Sequence, residues 1–209
     1  FILIITNEYR IKFRGIKKIL DSTKNADPNW AQRGTYFGSG QCRAYYVYSM
    51  EVHGDYLYAV SYYGHSVFRV HTTTGVCDYS ERVRYAYNLA IGNNKLYAFG
   101  RYRNYTTWNL SGAKPSKISC SVSVYTWLYY ESGSAVDPSG NYYYAAYGRQ
   151  LYRHKIDNNG CITNSYSVAT LNSYYMNRAA IRFHPTNDNI LYAASLYRHR
   201  VTKITLDSS

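Results

Sequence analysis

Short apolar runs alternate along the chain with turns rich in Gly, Asn, Asp and Pro, and helical periodicity of comparable length is absent. One arrangement recurs four times. A strand-like run around Val52, Ile91, Val136 or Ile181 enters a turn: His53-Gly54-Asp55, Gly92-Asn93-Asn94, Asp137 to Asn141, or His184 to Asp188. The turn leads into Leu57-Tyr58-Ala59, Leu96-Tyr97-Ala98, Tyr143-Tyr144-Ala145 or Leu191-Tyr192-Ala193. Run, turn and run of this composition predict an antiparallel hairpin. Third strands follow at Val67 to Val70, Thr107 to Leu110, Leu151 to Ile156 and Val201 to Ile204, and three of them alternate apolar with polar residues. The first three copies continue into a fourth strand, near Val83, Val122 to Val124 and Val168.

The tyrosines of successive tripeptides lie 39, 47 and 48 residues apart. Four short antiparallel strands per unit of that length are the signature of a propeller blade, so the fold expected is an all-β β-propeller of four-stranded antiparallel blades. At 209 residues nothing demands a second domain, and 1–209 reads as one propeller. Residues 46–206 hold the four clear repeats; 1–45 read as an incomplete or divergent N-terminal blade, with strands at Ile2 to Thr6, Tyr9 to Phe13 and Gln41 to Ser49. The count is therefore about five blade-like units. A four-blade ring closed by Gln41 to Ser49 and a fragment of a larger ring stand as alternatives.

The segment Val136-Asp137-Pro138-Ser139-Gly140-Asn141-Tyr142 followed by Tyr144-Ala145 resembles blades of the NHL and lactonase-like propellers, as does Phe183-His184-Pro185 with Asn189-Ile190-Leu191-Tyr192. The resemblance covers roughly residues 46–206 and implies the fold alone, because these families include hydrolases, lectins and scaffolds.

Composition then narrows the chemistry. Tyrosine supplies 28 residues, against nine Phe and Trp together, and 24 Lys+Arg against 12 Asp+Glu give a formal charge of +12. Such a field favours polyanions: acidic or sulfated glycans, nucleic acid or an anionic membrane surface. No apolar run reaches the ~18 residues a spanning helix needs, so no membrane span is expected. The opening Phe1 to Thr6 lacks the basic start and cleavage site of an export signal and reads as a strand. Two sequons, at Asn104 and Asn109, are candidate glycosylation sites in a secreted protein.

Tyrosine also recurs outside the tripeptide. Six residues before Val52, Ile91, Val136 and Ile181 stand Tyr46, Tyr85, Tyr130 and Tyr175, where one blade crosses to the next. This set suits either ligand contact or packing between blades. The turn after each tripeptide carries Tyr63 and His65, then Arg101, Tyr102 and Arg103, then Tyr147 and Arg149, then Tyr197, Arg198 and His199. In a propeller both sets of loops share one end of the ring. Aromatic faces stack on sugar C–H surfaces and guanidinium groups grip carboxylate or sulfate in bidentate fashion, so these residues form the candidate ligand-binding set.

Catalysis has no such support. No paired carboxylates recur, the six histidines show no HxH or HxxxH spacing, and neither a phosphate loop nor a nucleophile elbow is present, so no enzyme, cofactor or metal site is expected. Cys42, Cys77, Cys120 and Cys161 fall one per repeat, near the start of each fourth strand. Equivalent positions on neighbouring blades should lie beyond disulfide reach, which predicts buried free thiols or bonds to other chains or extra segments. The function expected is a secreted, extracellular, lectin-like protein recognising an anionic glycan or matrix polymer through its Tyr/Arg face. The alternative is a structural protein that self-assembles, as a homo-oligomer or filament, through tyrosine-rich surfaces. Nucleic acid is disfavoured because no recognition motif accompanies the charge.

Overall fold

A computed structural model of the chain describes residues 3–5, 11–13, 42, 46–100, 105–120, 133–147, 149–170, 179–195 and 200–206. Phe1–Phe37 and Gly38–Ser209 form two units. In the first, β1 (Leu3–Ile5) pairs antiparallel with β2 (Ile11–Phe13), Leu3 opposite Phe13. The strands fall within the two apolar runs expected there.

The second unit is a four-bladed β-propeller, its antiparallel sheets arranged in a ring. Blade 1 is β3 (Val47–His53), β4 (Tyr56–Ser61), β5 (Ser66–His71) and β6 (Cys77–Arg82). Blade 2 is β7 (Ala86–Gly92), β8 (Lys95–Gly100), β9 (Tyr105–Asn109) and β10 (Ser116–Ile118). Blade 3 is β11 (Ser134–Val136), β12 (Tyr142–Tyr147), β13 (Gln150–Ile156) and β14 (Ile162–Thr170). Blade 4 has three strands among the described residues: β15 (Ala179–His184), β16 (Asn187–Ser195) and β17 (Arg200–Thr205).

The four tripeptides occupy equivalent places on the second strands. Tyr58 lies between Glu51 and Arg69, Tyr97 between Ala90 and Thr107, Tyr144 between Ala135 and Arg153, and Tyr192 between Arg182 and Lys203. One expected strand moves: Val47 to Ser49 open β3 of blade 1 and do not end an earlier blade, because they pair with Ser61 and Val60 of β4. The fourth strand of blade 2 is Ser116–Ile118, and the run expected at Val122 to Val124 lies outside the described residues.

The second strands of blades 1 to 3 are buried on both faces, whereas in β16 of blade 4 Leu191 and Ala193 are buried and Tyr192 and Ala194 only half-buried. Leu57, Tyr58, Ala59, Val60 and Ser61 are all buried. Three cores result, each shared by two blades: Tyr58, Val60 and Val67 meet Leu89, Leu96 and Trp108; Tyr97 and Phe99 meet Tyr143, Ile156 and Ile162; Tyr144 and Leu151 meet Ile181, Leu191 and Ile204. Each fully buried aliphatic or aromatic side chain contributes about 1.5–3 kcal/mol. Close approach between blades 2 and 3 requires glycine at position 140, which sits at φ +75° and where a Cβ would run into Asn93. Blades 4 and 1 meet at the inner strands through an ion pair, Arg182 to Glu51 at 2.5 Å. Burial raises the Glu51 carboxyl above its ordinary range, with the Arg182 guanidinium acting against that rise.

The cysteine expectation is overturned. All four are bridged, Cys42 to Cys77 and Cys120 to Cys161, with Cα–Cα separations of 6.1 and 5.5 Å. Their even spacing conceals two kinds of position. Cys77 and Cys161 stand at the start of the outer strands β6 and β14, whereas Cys120 follows the end of the short β10 and Cys42 precedes β3. Each bridge therefore ties the segment leading into a blade to that blade's own outer strand. The partners are not equivalent, and the distance argument against pairing does not apply to them.

Candidate functional site

The strands β3 and β7 begin at the same end of the ring as the turn from β4 to β5. Tyr46 and Tyr85 stand just before these strands, and both have left-handed backbones, φ +55° and +51°. His65, in the turn, is left-handed too, at φ +50°. Non-glycine residues in this region cost of order 1–3 kcal/mol each and persist only where their surroundings hold them. Here hydrogen bonds do so. Tyr62 N–H donates to the Tyr46 carbonyl at 3.1 Å, and Val83 N–H to the His65 carbonyl at 2.8 Å. Tyr85 N–H donates to His65 Nδ1 at 3.2 Å, which places the proton of the neutral ring on Nε2. Gly100 leaves room for this crossing, because a Cβ there would lie 2.5 Å from the Arg84 carbonyl oxygen.

Around this frame the tyrosines form one connected cluster. Tyr62 is its centre: it stacks on Tyr87 at 4.6 Å between ring centroids, with their hydroxyls 3.0 Å apart, and meets Tyr63 edge-on at 4.7 Å. Tyr48 stands edge-on to both Tyr62 and Tyr87, at 5.4 and 5.7 Å. Tyr85 lies 5.4 Å from Tyr62 and 4.4 Å from the His65 ring. The outer edge belongs to Tyr46 and Tyr63, in edge contact at 5.1 Å and 71% and 59% exposed. Arg82 and Arg84, both exposed, flank buried Val83 on the crossing from blade 1 to blade 2.

Of the residues singled out from the sequence, this site unites Tyr46, Tyr63, His65 and Tyr85. Arg149 is exposed in the turn between β12 and β13, the equivalent turn of blade 3. Tyr147 ends β12, and its side chain lies outside the described residues, as do Arg101, Tyr102, Arg103, Asn104, Tyr130, Tyr175, Tyr197, Arg198 and His199. Asn109 ends β9 at the opposite end of the blades, its Oδ1 accepting from the Ser111 N–H and hydroxyl at 3.0 and 2.8 Å. Sequence reasoning missed Tyr48, Tyr62, Tyr87, Arg82 and Arg84. A signal existed for two of them, since Tyr46-Val47-Tyr48 and Tyr85-Ala86-Tyr87 repeat the same Tyr-x-Tyr at the same place.

A second set of polar groups is buried and serves the fold. The Arg69 guanidinium is 3% exposed and forks onto Asp78 at 2.8 and 2.6 Å. It also donates to the Ala113 carbonyl of blade 2 at 2.8 Å and lies 3.9 Å from the centre of the Tyr56 ring. Its hydrogen bonds hold the Asp78 carboxyl below the usual carboxylate range. Arg153 repeats the arrangement over Tyr142 at 4.7 Å. Glu81 of blade 1 accepts from Trp108 of blade 2 at 2.5 Å and from Tyr79 at 2.6 Å, and pairs with Lys117 at 3.2 Å. Burial works against its charge, but these three donors outweigh it and leave the carboxyl below its ordinary value.

Among the described residues no three His, Cys, Asp or Glu gather where they could hold a metal ion, and no helix is long and apolar enough to cross a membrane. No family model matches the chain, and no curated protein matches its sequence. Solved structures do match. A computationally designed protein, Ika4, aligns over 83% of this chain and 99% of its own length, at a TM-score of 0.54 and 11% identity. The β-propeller domain of Cps50 (Swd1) from Myceliophteria thermophila aligns over 77% of this chain, at 0.55 and 18%. An auxiliary nutrient binding protein from Bacteroides ovatus aligns over 80%, at 0.56 and 14%. The chain matches 54% and 46% of the lengths of these two natural proteins. At such identities the likeness is one of fold, and the fold it shows is the β-propeller.

Proposed function

We propose that this propeller is a non-catalytic, extracellular binding protein that takes an anionic glycan at the tyrosine-rich end of blades 1 and 2. The observation that carries the reading is the outer edge of the cluster, where exposed Tyr46 and Tyr63 share one end of the blades with exposed Arg82 and Arg84. Exposed phenol rings seated against their neighbours offer flat apolar contact, and sugars present C–H faces of matching kind. Guanidinium groups supply the complementary charge for carboxylate or sulfate. His65 braces the crossing through its carbonyl and Nδ1, a positioning duty, and the rings and guanidinium groups around it hold a ligand without moving protons. Two disulfides suit the oxidising conditions outside the cell.

The test is retention on immobilised heparin. The wild-type protein should bind and elute with salt, because exposed charges are screened over about 8 Å at physiological ionic strength. Arg82→Ala with Arg84→Ala should elute at clearly lower salt with an unchanged melting temperature, and Tyr63→Ala should weaken binding to a defined sulfated oligosaccharide. Wild-type retention by a folded double variant would transfer the reading to self-assembly through the same tyrosines.

A further inference from the structure

Tyr46 and Tyr63 differ from every other tyrosine contact described. They are the one pair, among the described residues, whose rings touch while both are more than half exposed. Tyr166, the third strongly exposed tyrosine, has no ring contact with another described aromatic residue. Neither the Tyr46 nor the Tyr63 hydroxyl is hydrogen-bonded to a described residue, and both rings face solvent. Behind them Tyr62 and Tyr87 continue the ring contacts inward, at 4.7 and 4.6 Å. A phenoxyl radical formed on any ring of this series can exchange with its neighbours. The inner rings are packed and hydroxyl-bonded to each other, which leaves the outer pair able to turn and couple.

We propose that Tyr46 and Tyr63 are an oxidative cross-linking site that joins the start of β3 to the β4–β5 turn as dityrosine. The oxidant class is hydrogen peroxide acting through a haem peroxidase. Each phenol loses one electron and its hydroxyl proton, giving two phenoxyl radicals. These couple through the ring carbons ortho to the oxygens, forming one C–C bond. The two ortho hydrogens then pass to the oxygens and restore both phenols. Two hydrogens leave the protein in all, and one peroxide is reduced to two waters. The bridge spans the outer edge of the cluster and fixes the crossing at Tyr46 to the turn at Tyr63. It depends on ring contact and exposure, so it stands or falls apart from the glycan reading.

The test treats dilute, folded protein with peroxidase and peroxide and follows dityrosine fluorescence on the monomer. Arg43 and Arg69 bound one tryptic peptide that holds both tyrosines, so a glutamate-specific protease, cutting after Glu51, is used to separate them. The Cys42–Cys77 bridge joins the same two peptides and is reduced and alkylated before digestion. The expected product is then two peptides from either side of Glu51 still held together, lighter by two hydrogens than the sum of the alkylated pair. Tyr46→Phe and Tyr63→Phe, which keep the ring and the fold, should each bring monomer fluorescence to background, while Tyr166→Phe should leave it unchanged. Full fluorescence in Tyr46→Phe, a bridge mapped to another pair, or dityrosine confined to dimers would overturn the proposal.

Discussion

Two sets of tyrosines recur with nearly the same period, and the ring puts them to opposite uses. Tyr58, Tyr97 and Tyr144, from the middle of the second strands, are 2%, 0% and 4% exposed and form the walls between blades. Tyr46 and Tyr63, from the strand ends, are mostly in solvent. A strand in the middle of a blade has neighbours on both faces, whereas the end of a strand meets only the adjoining loops. Position along the strand, not residue type or periodicity, therefore separates core from surface. The surroundings differ as well: the mid-strand rings pack between blades within mixed aliphatic and aromatic cores, Tyr97 near Tyr143 and Tyr144 against Phe183, whereas the terminal rings pack on one another and on His65.

The comparison breaks first if the buried set proves dispensable. Tyr97→Ala should cost about 3–5 kcal/mol, the usual range for removing a buried aromatic ring, measured by denaturant unfolding. Tyr63→Ala should stay within about 0.5 kcal/mol of wild type. Equal costs would abolish the distinction. A sharper form uses the hydroxyl. Tyr97 buries its hydroxyl with no hydrogen-bond partner among the described residues, and burial raises the phenol. Tyr97→Phe should therefore be neutral or stabilising while Tyr97→Ala is severe.

The bridge between Cys120 and Cys161 comes next. Replacing both by Ser should lower stability by about 2–5 kcal/mol under oxidising conditions. Reductant should destabilise the wild type by more than the double substitution does, because it opens both bridges, and should still lower the stability of the double variant, which keeps Cys42–Cys77.

The wall between blades 2 and 3 also holds His154, fully buried with neither ring nitrogen hydrogen-bonded to a described residue. Burial pushes it down from 6.5 to about 4. The unfolded chain binds this proton before the folded one does, so the stability held above pH 6.5 is lost as pH falls towards 4. The loss should level off at roughly 3 kcal/mol. His154→Leu should flatten that part of the pH profile, measured as denaturation midpoint against pH. A profile unchanged by the substitution would mean that another group governs acid sensitivity.

Most of the fold was legible because its signals are local. The tripeptide, the Gly- and Asn-bearing turns and the alternation in third strands all follow from the pleat and from hairpin chemistry, and β4, β8, β12 and β16 lie where they predict. What depends on contact between distant segments was not legible. Glu51 and Arg182 occupy the same register position in the first and last blades, yet nothing local marks them as partners. The cysteines misled because β10 is only three residues long, which leaves Cys120 beyond its end while Cys77 opens β6. At the candidate site, Tyr46 and Tyr85 were visible as a repeat, but their left-handed backbones were not. Arg82 and Arg84 belong to no repeated motif, and their exposure comes from the crossing that His65 and Gly100 shape.

The central claim, that the terminal tyrosines and their arginines are the binding surface while the mid-strand tyrosines hold the ring, is tested most directly by titrating one defined sulfated oligosaccharide into three folded proteins by calorimetry. Wild type and Tyr97→Phe should bind alike. Tyr63→Ala combined with Arg84→Ala should lose most of the affinity at an unchanged melting temperature. Equal binding by all three, or weakening only in Tyr97→Phe, would contradict the account.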